Sequence, residues 1–222
     1  MKDPSASVEP ALDHARAFAW FALLAGALSL LLLVATLQPT PQGAAQQLSF
    51  YPSHLGRIML SAVVVLAWAV FSIPFVVALG RILRPKSAAF ALTATLLSTV
   101  GILLLGFAIF AHVGAVLSIL AAGRPPDAAD ATYQAAIWGN LFFYLTDPGL
   151  MTWGLGQFLF GWLAWRSGVV PNWISVIGMI GGIAGLLTLA VYQSAMLALL
   201  QLVCFAVWGI ATGVILLRMR GR

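Results

Sequence analysis

Charged residues are scarce in this chain, 8% of 222, against about 25% in an ordinary soluble domain. So few charges do not cover a water-facing surface, which excludes a soluble globular protein. Cysteine is nearly absent as well. The single one, Cys204, lies inside the last apolar run. No intrachain disulfide and no cysteine-built metal site follows from it, and it reads as a small buried hydrophobe. The three histidines are His14, His54 and His112. They form no HxH, HxxxH or HExxH pairing, so zinc has no ready ligand set. Haem would depend on His54 and His112, which lie on separate predicted elements. Phosphate-cradling glycine loops, nucleophile elbows and paired carboxylates within helices are missing too. Nucleotide hydrolysis and acyl transfer therefore have no residues to carry them, and no cofactor is expected.

What the chain has instead is apolar length. It is 62% hydrophobic, and several uncharged runs approach or exceed the ~20 residues that cross roughly 30 Å of hydrocarbon. The runs do not alternate in polarity, which excludes a β-barrel. The fold class is an all-α polytopic membrane protein, a single membrane domain over 1–222 with crossings at about 17–37, 57–79, 88–112, 148–165, 173–192 and 195–217. The first run is longer than a signal-peptide core of about 7–15 residues. The residues before it carry both signs (Lys2, Asp3, Glu9, Asp13, Arg16), so it reads as a retained helix. QPTPQGAAQQLSFYPSH, which follows, reads as a polar loop, and Pro74 as a kink in the second crossing. The third apolar run, Ala88 to Ala122, is 35 residues, or about 52 Å if straight. It tilts, breaks near His112–Gly114, or projects from the bilayer. TYQAAIWGNLFFYLT, 132–146, reads as a short interfacial helix, and DPG at 147–149 restarts the chain into the fourth crossing.

The few cations test this division. With the N-terminus in the cytoplasm, Lys2, Arg16, Arg81, Arg84, Lys86, Arg166, Arg218, Arg220 and Arg222 fall on the cytoplasmic side, and only Arg57 and Arg124 on the other. That asymmetry is the positive-inside bias of a bacterial inner-membrane protein with both termini cytoplasmic. Making 132–146 a crossing of its own would divide the cations five against six, which removes the bias. The net charge of +5 thus belongs to membrane orientation, and no nucleic-acid partner is expected.

Small residues mark where helices approach. Gly178 and Gly182, Gly181 and Gly185, and Gly209 and Gly213 each keep the four-residue spacing that lets backbones come close in lipid. The reading is that helices five and six pack on each other within one monomer, with a homo-oligomer seam as the alternative. Gly154, Gly156 and Gly161 in the fourth crossing suggest that the C-terminal three helices are the more compact half. Trp138, Tyr144, Trp153, Trp162, Trp165, Trp173 and Tyr192 read as interfacial anchors.

Five polar residues fall at similar depth near the outer face: His54, Arg57, His112, Asn140 and Asp147. They form the candidate site. Each has a plainer role beside it. Asp147 before Pro148 fits an N-cap followed by proline at the first helical position. Arg57 suits snorkelling to lipid phosphate, although a helix N-terminus disfavours a cation, which Asp147 would relieve as an ion-pair partner. His54 reads as a loop or first-turn residue. In mid-membrane there is no clear ionisable relay, only uncharged groups such as Gln157 and Gln201, which are placed to bond to each other.

At GQFLFGWLAWRSGVVPNWISVIGMIGGIAGLL, 156–187, the chain resembles an uncharacterised family of bacterial multi-helix membrane proteins defined by a domain of unknown function. The shared pattern is an arginine–serine turn, a proline, a tryptophan and a glycine-rich helix, here Arg166, Ser167, Pro171, Trp173, Gly178, Gly181 and Gly182. HLGR, with Arg57, is similar in position. Asn172 stands where members more often carry a basic residue. The resemblance implies a membrane-embedded helical fold and no particular chemistry.

From these readings the expected function is non-enzymatic: an accessory or structural membrane subunit that binds lipid or a membrane protein partner. The alternatives are a small-solute transporter working between helices three and four, and a redox or enzyme subunit using the outer polar residues.

Overall fold

The computed structural model describes residues 9–36, 44–121, 128–188, 190–191 and 194–218. They form six helices: α1 (Glu9–Thr36), α2 (Ala44–Leu83), α3 (Ala88–Ala121), α4 (Ala128–Ser167), α5 (Asn172–Leu187) and α6 (Ala195–Arg218). Each helix packs on its sequence neighbours, α1 closes the ring on α6, and α2 also reaches α4. Stretches of α2, α3 and α6 (Ser53–Leu83, Ala88–Gly114 and Ala195–Arg218) are long and apolar enough to cross a membrane, with shorter apolar helices at Phe18–Val34 and Asn172–Leu187. The protein is an all-α bundle of multi-pass membrane character. Its outward surface agrees: Leu92, Leu96, Val100, Leu103, Phe107, Phe110 and Leu117 make one exposed apolar stripe down α3, the face a helix presents to lipid tails.

Local signals explain the turns. α4 ends at Gly168, whose φ of 65° is the left-handed conformation that a side chain disfavours. Its N–H donates to the Ala164 carbonyl, closing the helix in the usual C-terminal manner. Arg166 then lies over the Trp162 ring, 4.7 Å from its centroid. Ser194 opens α6 by accepting the Leu197 N–H at 3.4 Å.

The break expected at 147–149 is absent, and so is the break that was one of three alternatives for α3. α4 is one 40-residue helix with Pro148 inside it, so 132–146 is its N-terminal portion and no separate interfacial helix exists. Proline removes one backbone donor and crowds the carbonyl four residues earlier. In a packed membrane helix, neighbours and local adjustment absorb that loss. Nearby hydroxyls follow the same helix: Thr146 Oγ1 donates to the Phe142 carbonyl at 2.7 Å, and Thr152 Oγ1 to that of Pro148 at 2.6 Å. α3 likewise runs through His112–Gly114 unbroken. α2 begins at Ala44, well before the expected start, so much of the expected polar loop is helical.

Glycine sets the helix spacings. A Cβ on Gly101 would meet the backbone of Trp153 and lie 2.7 Å from the Gly149 carbonyl oxygen. One on Gly154 would lie 2.9 Å from the Gly182 carbonyl oxygen, and one on Gly161 2.8 Å from that of Ser175. As residue numbers rise on one helix of each pair they fall on the other, so the neighbours are antiparallel. Gly209 and Gly213 face the carbonyls of Ala22 and Ala19, so this pair seats α1 on α6, not α5 on α6 as expected. Gly178 and Gly185 do face α6, against Trp208 and Gln201, while Gly181 packs on both Gln157 and Cys204, and Gly182 on the Phe158 backbone. The most extensive pairing, α3 with α4, joins the first three helices to the last three. Within those halves, α4–α5 and α5–α6 are together more extensive than α1–α2 and α2–α3, so the C-terminal three helices are the more compact half, as expected.

The centre of the ring is aromatic and comes from the even-numbered helices. Trp68 and Phe75 of α2, Trp153 and Phe160 of α4, and Phe205 and Trp208 of α6 are all fully buried. Trp153 meets Phe205 edge to face at 4.9 Å, and Phe75 meets Trp208 at 5.3 Å. The Trp153–Phe205 geometry matches ring edge to ring face, while Phe75 and Trp208 are tilted at 57°. Trp153 is 1% exposed, a core residue and not the interfacial anchor expected of it. Trp165, Trp173 and Tyr144 are exposed. Tyr192, Lys2, Arg124, Arg220 and Arg222 lie outside the described residues.

Candidate functional site

A cavity of about 380 Å³ opens between α1, α2, α3, α4 and α6, within the size range of small-molecule sites. Its position follows from the elements that wall it. α2 contributes Ser61, Val65 and Trp68; α3 contributes Leu105, Ala108 and Ile109; α4 contributes Phe142, Phe143, Thr146, Asp147, Leu150 and Trp153. Thr188, Ser194 and the first two turns of α6 complete it. These residues lie in the half of the bundle away from the basic turn at Arg84–Lys86. The edge-to-face indoles of Trp68 and Trp153 floor the space.

The polar groups in the wall are few and mostly satisfied by their own helices. Thr146 donates within α4, and the Thr188 hydroxyl donates to the Gly185 carbonyl at 2.6 Å. Trp68 Nε1 donates to Ser29 Oγ at 2.9 Å, and that serine donates on to the Ala25 carbonyl at 2.8 Å. Two groups differ. Asp147 is 8% exposed, and its Oδ2 is buried with no hydrogen-bond partner among the described residues. Trp153 Nε1 is buried in the same condition. The α3–α4 glycines put Asp147 here: Gly101 and Gly149 let the two backbones meet two residues past it on α4.

Of the five outer-face residues singled out in the sequence, Asp147 alone lines the cavity. His112, half-buried, sits 5.2 Å from the Phe142 ring, centre to centre, so it backs a wall residue. Arg57 lies one turn before Ser61 on α2. His54 is inside α2 and not in a loop: its Nδ1 is 3.0 Å from the Phe50 carbonyl oxygen, and its ring stacks on Phe50 at 3.9 Å. Asn140 is exposed. The pairing expected between Arg57 and Asp147 is not made at the buried oxygen. Nor do the glutamines bond to each other. Gln201 Nε2 donates to the Leu150 carbonyl at 3.2 Å, whereas both polar atoms of Gln157 are buried without a partner among the described residues.

Trp68 and Phe205 went unnoticed in the sequence. The available signal was depth: Trp68 and Trp208 stand in the middle of apolar runs, where an interfacial anchor has no interface to reach. Among the described residues no cluster of three or more histidine, cysteine or carboxylate side chains is arranged to hold a metal ion.

No curated protein and no solved structure matches the chain. Residues 18–220 match the family model described as a domain of unknown function, DUF4386, and the chain belongs to that multi-helix membrane family.

Proposed function

We propose that this protein is a non-enzymatic binding protein that holds a small, largely apolar molecule in the cavity beside Asp147. The observation that carries the reading is the cavity itself: a half-open aromatic and aliphatic cleft in a membrane bundle, floored by Trp68 and Trp153. Small-molecule sites are mostly apolar with a few placed polar groups, and this one has that make-up. A subunit that delivers or senses such a molecule remains within the accessory role, with membrane lipid around it. A partner protein or second copy would dock on the exposed apolar faces. The test is equilibrium binding of radiolabelled phenylbutanol and of its amine analogue phenylbutylamine to the protein in lipid nanodiscs, against empty nanodiscs. Saturable binding of either near one molecule per chain supports the reading; uptake of both equal to that of lipid alone rejects it.

The orientation belongs to the same proposal. Six crossings in a bacterial inner membrane, with both termini in the cytoplasm, would gather Arg81, Arg84, Lys86, Arg166 and Arg218 at the cytoplasmic side. The positive-inside rule supports it. In a Cys204→Ala background, Ser53→Cys should react with an impermeant maleimide in intact spheroplasts, and Ser87→Cys only after permeabilisation. The reverse pattern would invert the topology.

A further inference from the structure

We infer that the ligand of this cavity is an organic cation, an ammonium on an apolar body, with Asp147 as its counter-charge. The inference rests on the cavity-binding reading above and names its substrate class.

Four observations converge. First, Asp147 lines the cavity and is 8% exposed. Its Oδ2 is buried and has no hydrogen-bond partner among the described residues. A carboxylate in that state is costly in a low-dielectric interior, and a cation brought by the ligand relieves the cost. Second, α4 is continuous through Pro148. A helix starting at Pro148 would engage the Asp147 side chain as a cap for exposed backbone donors. In an unbroken helix those donors face carbonyls of the preceding turn, and the carboxylate is left for something else. Third, the neighbouring hydroxyls of Thr146 and Thr188 donate to their own helices' carbonyls. They do not solvate it. Fourth, among the described residues no lysine, arginine or histidine lines the cavity, while Trp68, Trp153, Phe142 and Phe143 do. Aromatic faces attract cations, most strongly where water is excluded. An anionic ligand would meet the carboxylate with no cation among the described lining residues to offset it.

The same features settle which part of the ligand goes where. The charged head belongs at the Asp147 end, and the apolar body fills the space toward Leu105, Ala108 and Leu202.

The experiment compares two probes of matched shape on the protein in nanodiscs of zwitterionic lipid at neutral pH, with empty nanodiscs subtracted. Phenylbutylamine carries the cation; phenylbutanol replaces it with a neutral hydroxyl. On the wild type the amine should bind roughly tenfold tighter or better. In Asp147→Asn that advantage should collapse to parity, and in Asp147→Glu, which keeps the charge, most of it should return. Equal affinity of the two probes on the wild type overturns the cation assignment and leaves the cavity reading standing. Absence of saturable binding for both overturns both. The wild-type comparison decides even if Asp147→Asn does not fold. An amine preference that survives unchanged in a folded Asp147→Asn would place the counter-charge elsewhere and reject the inference.

Discussion

The indole of Trp68 meets that of Trp153 edge to face, ring centres 5.0 Å apart and planes at 75°. One ring comes from α2 and the other from α4. Together they divide the bundle into a hollow half and a filled half. On one side lies the cavity with Asp147; on the other, Phe75, Phe160 and Trp208 close the core.

This floor should be the most sensitive point in the core. Trp153→Ala removes a fully buried ring that touches both Trp68 and Phe205. The expected loss is about 3 kcal/mol or more, read as a lowered midpoint for unfolding in mild detergent. Trp153→Phe keeps an aromatic face and should lose less than half of that.

The hydrogen bond from Trp68 to Ser29 ties α2 to α1. Ser29→Ala leaves the indole N–H without its acceptor. Interhelical hydrogen bonds in membranes are worth about 0.6–2 kcal/mol, and a loss in that range is expected. Ser53→Ala, whose hydroxyl donates to the Phe50 carbonyl in its own helix, should change stability by less than about 0.5 kcal/mol.

Two glycines on α3 should behave oppositely. Gly101→Ala places a methyl against the α4 backbone at Gly149 and Trp153. Neither backbone can yield without moving a helix, so about 1–3 kcal/mol of destabilisation is expected. A Cβ on Gly106 meets nothing within 4 Å. Gly106→Ala should be neutral or stabilise by up to about 1 kcal/mol through helix propensity. Thermal unfolding of both variants checks the pair, and equal effects would contradict the α3–α4 register.

Pro148 gives a test of helix continuity. With α4 unbroken, Pro148→Ala returns a donor to the Tyr144 carbonyl. Stability should stay level or rise by roughly 1 kcal/mol, less than the ~3 kcal/mol an interior proline costs a helix in water, because the packed helix has already adapted. A clear loss would mean that the proline starts a helix.

Composition and run length made the fold class legible, because nothing else explains so few charges beside such long apolar runs. The turn at Arg166–Pro171 was legible too, since Gly168 and Pro171 are specific to a stop and a start. Helix continuity at Asp147–Gly149 was not. Asp-Pro-Gly is a strong breaker in water, where a freed carbonyl takes a solvent partner and a new helix gains a cap. Inside a bundle neither gain is on offer. Glycine partners were half legible: the spacing at Gly209 and Gly213 announces a close approach, but a ring of six helices offers two flanks, and only the contact with Ala19 and Ala22 shows which is used. Of the candidate site, the depth of Asp147 was readable. Its place in the wall was not, because Gly101 on another helix positions it.

The most direct test of the account is native mass spectrometry with phenylbutanol or phenylbutylamine added, comparing wild type with Ala198→Phe. Ala198 lines the cavity, and a phenyl ring there occupies the space without touching Asp147's chemistry. The account predicts one bound molecule per wild-type chain and none on a folded Ala198→Phe protein. A wild type that takes up no saturable ligand, or a filled variant that binds it equally well, would contradict it.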